Sequence, residues 1–262
     1  MFSVIAHRGN SALAPENTLK AFDLALELGP AFELDVQLTS DNICIVLHDE
    51  KLGRTNIGSS QVADTSWTDL STLDAGSWLG TEHADCRIPT LLQVLERYQS
   101  RAHIHLELKS QQAGIPEVVA GLLRSTGWLG WLEDAVTLNH SQASPASALE
   151  APGRVTITSF HLHMLVLSMK LLPQTTHGWL IQEITDQTLE VAREAGISQL
   201  CPRVNVCSKE LVDKALQQGF KTVRGWGVKN KDLLHHAVSC GMHGATVDWP
   251  HEALEELKII KN

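Results

Sequence analysis

The chain has 262 residues, of which 43% are hydrophobic and 19% charged, and its formal net charge is −9. This length suits one α/β barrel, since such barrels commonly occupy roughly 200–250 residues as a single unit, and we expect one domain over residues 1–262. The acidic balance argues against a nucleic-acid partner, because that binding depends on Lys and Arg neutralising phosphates. The negative net charge does not exclude a small phosphorylated substrate, since a metal ion or one basic group can make the electrostatic potential within a site positive.

The spacing of the cysteines and the first residues of the chain indicate in which cellular compartment we expect the protein. The five cysteines are scattered without a CxxC pair, which indicates neither a disulfide framework nor a zinc site. The first residues, "MFSVIAHRG", lack the basic and apolar regions of a signal peptide. No apolar stretch approaches the roughly 18 residues that span a bilayer. We therefore expect a cytoplasmic protein without stable membrane association.

Strand patterns alternate with helical patterns along most of the chain. The strand "SVIAH" precedes the helical "NTLKAFDLALELG", and "AFELDVQL" follows with "ICIVLHD" as a hairpin arm. Residues 50–90 are polar and lack a clear period, so we interpret them as an excursion over one end of the sheet. The remaining strand candidates are "IHLELK", "AVTL", "RVTITSF", "GWLI", "SQLCP", "KTVRGWGV" and "GATVDW".

This alternation indicates a parallel sheet covered by helices. The length favours a (β/α)8 TIM barrel with a small insertion, about residues 50–90, after the second strand unit. The strand candidates exceed eight by one, so we assign "AVTL" to an insertion. An open doubly wound sheet is the alternative. The lack of a GxGxxG or GxxxxGK[ST] motif after any strand argues against it.

Two predicted strands carry acidic residues on one face. Glu33 and Asp35 alternate with apolar residues in "FELDVQL", and Glu107 and Lys109 do so in "HIHLELK". Unpaired carboxylates cost several kcal/mol each to bury, so positive charge must compensate them. Lys109 and Arg8 can supply part of it, and three converging carboxylates favour Mg²⁺ or Ca²⁺ over Zn²⁺. A purely structural salt-bridge network is the alternative.

Two histidines end apolar strand patterns in the same way. His7 follows "VIA" and His48 follows "IVL", which puts both at the carboxyl ends of strands, where barrel enzymes hold their chemistry. Either one alone could be a structural histidine. Two imidazoles near a metal can act as an acid–base pair close to neutral pH.

The order of these motifs resembles that of the glycerophosphodiester phosphodiesterases, a family of metal-dependent barrel enzymes. The resemblance covers nearly the whole chain. It rests on "AHRG", "APENTLKAF", "ELDVQLTSD", "VLHDEKLGRT", "DAGSW", "PTLLQVL", "LELK", "TSFH", "LCP", the tryptophan of "GWGV" and "VDWP".

The resemblance implies hydrolysis of glycerophosphodiesters, such as glycerophosphocholine or glycerophosphoethanolamine, to sn-glycerol 3-phosphate and an alcohol. One divalent cation, Mg²⁺ or Ca²⁺, would serve as cofactor, and a small-molecule phosphodiester would be the partner. A homo-oligomer is left open. The implied roles are catalysis for His7 and His48, metal binding for Glu33, Asp35 and Glu107, phosphate contact for Arg8 and Lys109, and contact with the alcohol for Phe160 and Trp226.

Several alternatives stay open at this point. The nucleophile is either water or a neighbouring hydroxyl of the substrate, and either histidine could be the acid. A related two-histidine barrel could instead cleave phospholipids, and a non-catalytic phosphodiester binder is a further class. Pro15 and Glu16 are predicted in the first turn of a helix. Asn17 either caps that helix or bonds across the site, and Asp248 either enters the site or orients a neighbour.

Overall fold

The computed structural model describes residues 2–129, 149–150 and 153–260. Its central feature is a nine-stranded sheet whose first strand also pairs with its second. The strands are β1 (Ser3–Ala6), β2 (Ala31–Leu38), β3 (Cys44–Val46), β4 (His103–Leu108), β5 (Arg154–Ser159), β6 (Thr176–Ile181), β7 (Gln199–Pro202), β8 (Thr222–Gly225) and β9 (Gly244–Val247).

Eight of these strands form a closed parallel barrel. Closure is made by β1, which pairs with β9 along its whole length and with β2 where Ala6 lies opposite Phe32. The remaining strand, β3, runs antiparallel to β2 as the hairpin arm. The (β/α)8 prediction is therefore confirmed and the open doubly wound sheet is wrong. The "AVTL" segment, residues 135–138, lies outside the described residues.

Helices connect the barrel strands and cover the sheet. Within the described ranges, no helix is both long and apolar enough to cross a bilayer. All five cysteines are free and buried. The α-helices are α1 (Leu19–Leu26), α2 (Trp67–Leu70), α3 (Leu91–Tyr98), α4 (Ile115–Ser125), α5 (Leu162–Leu171), α6 (Asp186–Glu194), α7 (Lys209–Gln217), α8 (Lys231–Ser239) and α9 (Pro250–Ile260).

The start of α1 differs from the prediction. The helix begins at Leu19, and the Thr18 hydroxyl caps it by accepting a hydrogen bond from the Ala21 amide at 3.3 Å. Glu16 and Pro15 precede the helix, so their assignment to its first turn is wrong. Asn17 has a left-handed backbone with φ of 58°, which interrupts any helix before Leu19, and two arginine side chains bind the Glu16 carboxylate there.

The two faces of the barrel strands differ in chemistry. Outward residues such as Leu34, Val36 and Leu106 are fully buried in the apolar layer between sheet and helices. Their neighbours on β2 and β4 point inward and are polar. Side-chain alternation therefore lines the lumen with ionisable groups.

The polar excursion is ordered around a small core of its own. Two 3₁₀ turns, Val62–Asp64 and Thr81–His83, flank α2 in this segment. A separate apolar cluster joins it to β3 through Ile45 and also includes Leu52 and Leu70. The insertion thus packs beside the hairpin arm after the second barrel strand.

Candidate active site

The carboxyl ends of the barrel strands surround a cavity of about 230 Å³. Eight of the nine residues singled out from the sequence line it, and the ninth, Asp35, is fully buried beside them. The eight are His7, Arg8, Glu33, His48, Glu107, Lys109, Phe160 and Trp226. Residues that are up to 219 positions apart in the chain therefore meet in one site.

Three carboxylates form the most buried part of this site. Glu33 and Asp35 come from β2, and Asp35 lies opposite Glu107 of β4 in the parallel register. One oxygen from each lies within 4.8 Å of the others. Burial and the neighbouring Asp35 raise the pKa of Glu33 to about 7, and the same causes raise the pKa of Glu107. Burial and mutual repulsion thus make it unfavourable for all three carboxylates to be ionised together.

Asp35 is held from several sides. The Asn17 amide donates to Oδ2 at 2.8 Å, so this residue bonds across the site and does not cap α1. Burial would raise the pKa of Asp35, but the charges of Arg8 and Lys109 outweigh it and lower that pKa. Within the described part of the chain, the buried Oδ1 receives no hydrogen bond. An Oδ1 that accepts no hydrogen bond, beside two acidic neighbours, fits a hard divalent cation bound through oxygen.

Two basic side chains flank the carboxylates. Lys109 Nζ donates to Glu107 Oε1 at 3.0 Å and lies 3.7 Å from Asp35 Oδ1. The Arg8 amide donates to Glu33 Oε2 at 3.0 Å, and its guanidinium donates to Glu16 at 2.8 Å. Burial alone would disfavour the Lys109 ammonium, yet Glu107 and Asp35 raise its pKa. Both cations are thus already present beside the acidic cluster.

The backbone after β1 is shaped to reach this position. Arg8 adopts a left-handed conformation with φ of 57°, which is uncommon outside glycine and costs of order 1 kcal/mol. Gly9 follows with φ of 81°, and a Cβ there would lie 2.6 Å from the carbonyl carbon of Ala21. Glycine is therefore required because the turn packs directly against α1.

His7 is oriented by a carboxylate from the last barrel strand. Its Nδ1 donates to Asp248 Oδ1 at 2.5 Å, and its Nε2 lies 3.9 Å from Glu33 Oε2. Burial would lower the pKa of His7, but the hydrogen bond to Asp248 and the charge of Glu33 raise it above its usual value. Asp248 therefore orients a neighbour and also lines the cavity.

His48 has an equivalent support from its own loop. Its Nδ1 donates to Asp49 Oδ1 at 2.7 Å, and the Arg54 guanidinium binds both Asp49 and Glu16. Burial is the largest effect on His48 and, with the charges of Arg8 and Lys109, lowers its pKa. Each imidazole thus has Nδ1 anchored, which leaves Nε2 as the nitrogen that can exchange a proton.

Sequence reasoning missed the supporting roles of three residues. Asp49, Glu16 and Arg54 connect the His48 loop to the segment before α1. The acidic residue directly after His48 was a usable signal, because such neighbours often orient an imidazole. The pairing of Glu16 with Arg54, 38 positions apart, had no local signal.

Aromatic rings form the opposite wall of the cavity. Phe160 and Trp226 pack edge to face with ring centroids 5.3 Å apart. The Trp226 indole donates to the carbonyl of Ile181 at 3.1 Å, which fixes its orientation. Lys109 Nζ lies 5.8 Å from the Phe160 ring centre, so the apolar wall adjoins the basic group.

Comparison with known sequences gives consistent matches. The profile of the glycerophosphoryl diester phosphodiesterase family matches residues 7–252. A glycerophosphodiester phosphodiesterase of Caldanaerobacter subterraneus subsp. tengcongensis is 32% identical, with 94% of each chain covered. One from Bacillus subtilis is 29% identical over 94% of this chain and 83% of its own. Bacillus subtilis YhdW is 49% identical over 123 residues, and that match spans 46% of this chain and 51% of YhdW.

Solved structures agree with the sequence matches. An Oleispira antarctica phosphodiesterase, in complex with the product sn-glycerol-3-phosphate, has a TM-score of 0.79 and 26% identity, with 98% of this chain and 96% of that chain covered. A glycerophosphodiester phosphodiesterase from Agrobacterium tumefaciens shares the fold with a TM-score of 0.75 at 24% identity, covering 95% of this chain and 97% of its own. The chain therefore belongs to the glycerophosphoryl diester phosphodiesterase family.

Proposed function

We propose that this chain, acting as one barrel domain over residues 1–262, hydrolyses glycerophosphodiesters in a metal-dependent reaction. Glycerophosphocholine and glycerophosphoethanolamine are suitable substrates, and the products are sn-glycerol 3-phosphate and the free alcohol. The observation that carries the proposal is the meeting of two anchored imidazoles and three buried carboxylates in one cavity. The product bound to the Oleispira antarctica phosphodiesterase supports this choice of substrate.

Glu33, Asp35 and Glu107 would hold one divalent cation, either Mg²⁺ or Ca²⁺. Their all-oxygen chemistry suits both ions, and the free Oδ1 of Asp35 supports this assignment. When bound, the cation supplies Lewis acidity that polarises a phosphoryl oxygen. Positive charge at this position would also offset the repulsion from Asp35 that, together with burial, raises the pKa of Glu33.

Arg8 and Lys109 would stabilise the negative charge that develops on the phosphoryl group. Both are about four-fifths buried and are held by carboxylates, so little reorganisation is needed when the substrate arrives. Fixed charges in a water-poor site are more effective than the same charges in water. Phe160 and Trp226 would contact the alcohol part of the substrate.

His7 and His48 would move the two protons of the reaction. One imidazole accepts the proton of the nucleophile as its oxygen attacks phosphorus. The other gives a proton to the alcohol oxygen as its bond to phosphorus breaks, so the charges balance. Asp248 and Asp49 hold Nδ1 of the respective rings, which keeps Nε2 available for both transfers.

An assay with glycerophosphocholine and glycerophosphoethanolamine tests the proposal. We expect release of sn-glycerol 3-phosphate, loss of activity with a chelator, and recovery when Mg²⁺ or Ca²⁺ is restored. Phosphorus NMR during turnover separates the two nucleophiles, since attack by the neighbouring hydroxyl passes through a cyclic phosphate. The His48→Ala variant serves as the blank for contaminating activity. Turnover that is indifferent to the chelator would contradict the metal assignment.

A further inference from the structure

A buried arginine lines the active-site cavity across the barrel from the cluster of Glu33, Asp35 and Glu107. Arg224 lies on β8, which is four strands from β4 in either direction around the barrel. Its side chain is only 2% exposed, yet it contributes to the cavity wall. The Thr222 hydroxyl on the same strand face accepts a hydrogen bond from Gln199, so Arg224 also points into the lumen.

The Arg224 guanidinium forms no ion pair with a carboxylate of the described residues. Across the described residues, no carboxylate oxygen lies within 4.0 Å of it, and its buried Nε makes no hydrogen bond. Its nearest recorded partner is Cys201 Sγ, 3.6 Å from one terminal nitrogen. Burial raises the pKa of the Cys201 thiol, so this sulfur stays neutral at physiological pH and does not balance the charge.

The other cations of the cavity differ from Arg224. Arg8 and Lys109 are paired with carboxylates, and Lys229 is exposed to solvent, where an unpaired ammonium is well hydrated. Among the described lining residues, Arg224 is thus the buried cation without an acidic partner. An isolated charge in such a position is unfavourable unless an anion binds beside it.

We propose that Arg224 binds a second anionic group of the substrate, a carboxylate or a phosphate, on the substituent that enters this half of the cavity. The proposal rests on the proposed phosphodiesterase function and narrows its substrate class. The preferred substrates would then be glycerophosphodiesters that carry a negative charge in addition to the diester. The guanidinium suits this role because its planar fork binds carboxylates and phosphates through two hydrogen bonds.

Two matched pairs of substrates test this inference. Glycerophosphoserine differs from glycerophosphoethanolamine by one carboxylate, and glycerophosphoinositol 4-phosphate differs from glycerophosphoinositol by one phosphate. We expect kcat/KM to favour the anionic member of at least one pair by roughly 10- to 100-fold, the range for a hydrogen-bonded charge. Arg224→Gln should reduce that ratio to near one, and Arg224→Lys should restore part of it.

Lys221→Gln is the control, since it removes a positive charge at the opposite end of the same strand and should keep the wild-type ratio. Calorimetry on the His48→Ala variant measures the Kd of each substrate without turnover. The ratio of Kd values within a pair therefore tests the role of Arg224 even if the proposed hydrolysis does not occur.

Equal kcat/KM and Kd values within both pairs, or a preference that survives in Arg224→Gln, would overturn the inference. An Arg224→Gln protein that fails to fold would also overturn it, because the Arg224 charge would then be needed for folding and be balanced by a group of the chain itself. Inhibition by free phosphate without any preference would indicate an adventitious anion only.

Discussion

The two ends of the barrel lumen bury different kinds of polar side chain. At the amino end, His103 and His105 stack with ring centroids 4.5 Å apart, and Gln199 donates to Thr222. Burial lowers the pKa of His105 well below its usual value, so this ring is neutral. At the carboxyl end the lumen holds ionised groups, including Asp35, whose pKa is lowered by the charges of Arg8 and Lys109 despite burial.

The difference separates neutral groups that bond to one another from charged groups that we propose bind a cation and the substrate. Neutral polar side chains can be satisfied by one hydrogen bond to a neighbour, so they tolerate burial at modest cost. A cluster of carboxylates cannot be satisfied in that way, because each added negative charge raises the pKa of the next. Perturbed ionisable groups in a cavity are therefore a signature of function.

The largest effect is expected from removing the imidazoles of the charged end. His7→Ala and His48→Ala should each lower kcat by about 10²–10⁴-fold, since each removes one proton carrier. The melting temperature should stay close to that of the wild type, because both rings are partly exposed at the cavity. Steady-state kinetics and thermal unfolding measure the two properties.

His163→Ala is the matched control for these variants, since this exposed histidine lies on the outer surface of α5. It should retain wild-type kinetics. Near-normal turnover in either His7→Ala or His48→Ala would contradict the two-histidine scheme.

A buried neutral histidine on the outer face of the barrel, against α5, makes a prediction about pH and stability. His177, at the start of β6, is held by the Ser168 hydroxyl and the Thr175 carbonyl, and burial lowers its pKa to about 4. Because the unfolded state binds the proton more tightly, the stability contribution is present above the unfolded value of 6.5 and declines as pH falls toward 4. The loss amounts to about 3 kcal/mol over that interval.

Denaturant unfolding of wild type and His177→Gln between pH 7 and pH 4 measures this difference in slope. His251→Gln, which changes an exposed histidine on α9, should keep the wild-type slope. If His177→Gln lost stability with falling pH as steeply as the wild type, the neutral burial of His177 would be contradicted.

A smaller effect is expected from weakening the acidic cluster by one charge. Glu33→Gln keeps an oxygen for the Arg8 amide but removes one carboxylate from the proposed metal site. The cation concentration for half-maximal activity should rise at least roughly tenfold. Without a cation, the variant should be no less stable than the wild type, since repulsion from Asp35 is relieved.

Activity titrated with Mg²⁺ or Ca²⁺, together with thermal unfolding in chelator, separates these two outcomes. Glu82→Gln is a suitable control, because Glu82 is an exposed carboxylate in the excursion, away from the cavity. An unchanged cation titration in Glu33→Gln would argue against this ligand.

Much of the barrel and of the site could be predicted, because the local periodicity of apolar and polar residues shows which side chains share a face of a strand or helix. Alternation in "FELDVQL" and "HIHLELK" placed Glu33, Asp35 and Glu107 on one face of their strands, and the structure brings their oxygens together. The start of α1 could not be predicted correctly from Pro15 and Glu16, because distant arginines compete for the Glu16 carboxylate. Propensity describes a segment in isolation, and tertiary charge overrides it.

By itself, the sequence determined the order of strands and helices and which residue types face the lumen, since both follow from spacing along one chain. Only the tertiary structure decided that Asp248 anchors His7 and that Arg224 has no carboxylate partner among the described residues. The pairing of His7 with Asp248 joins the ends of β1 and β9, which are far apart in the chain and become neighbours when the barrel closes. The charge that each side chain experiences is therefore a property of the closed barrel.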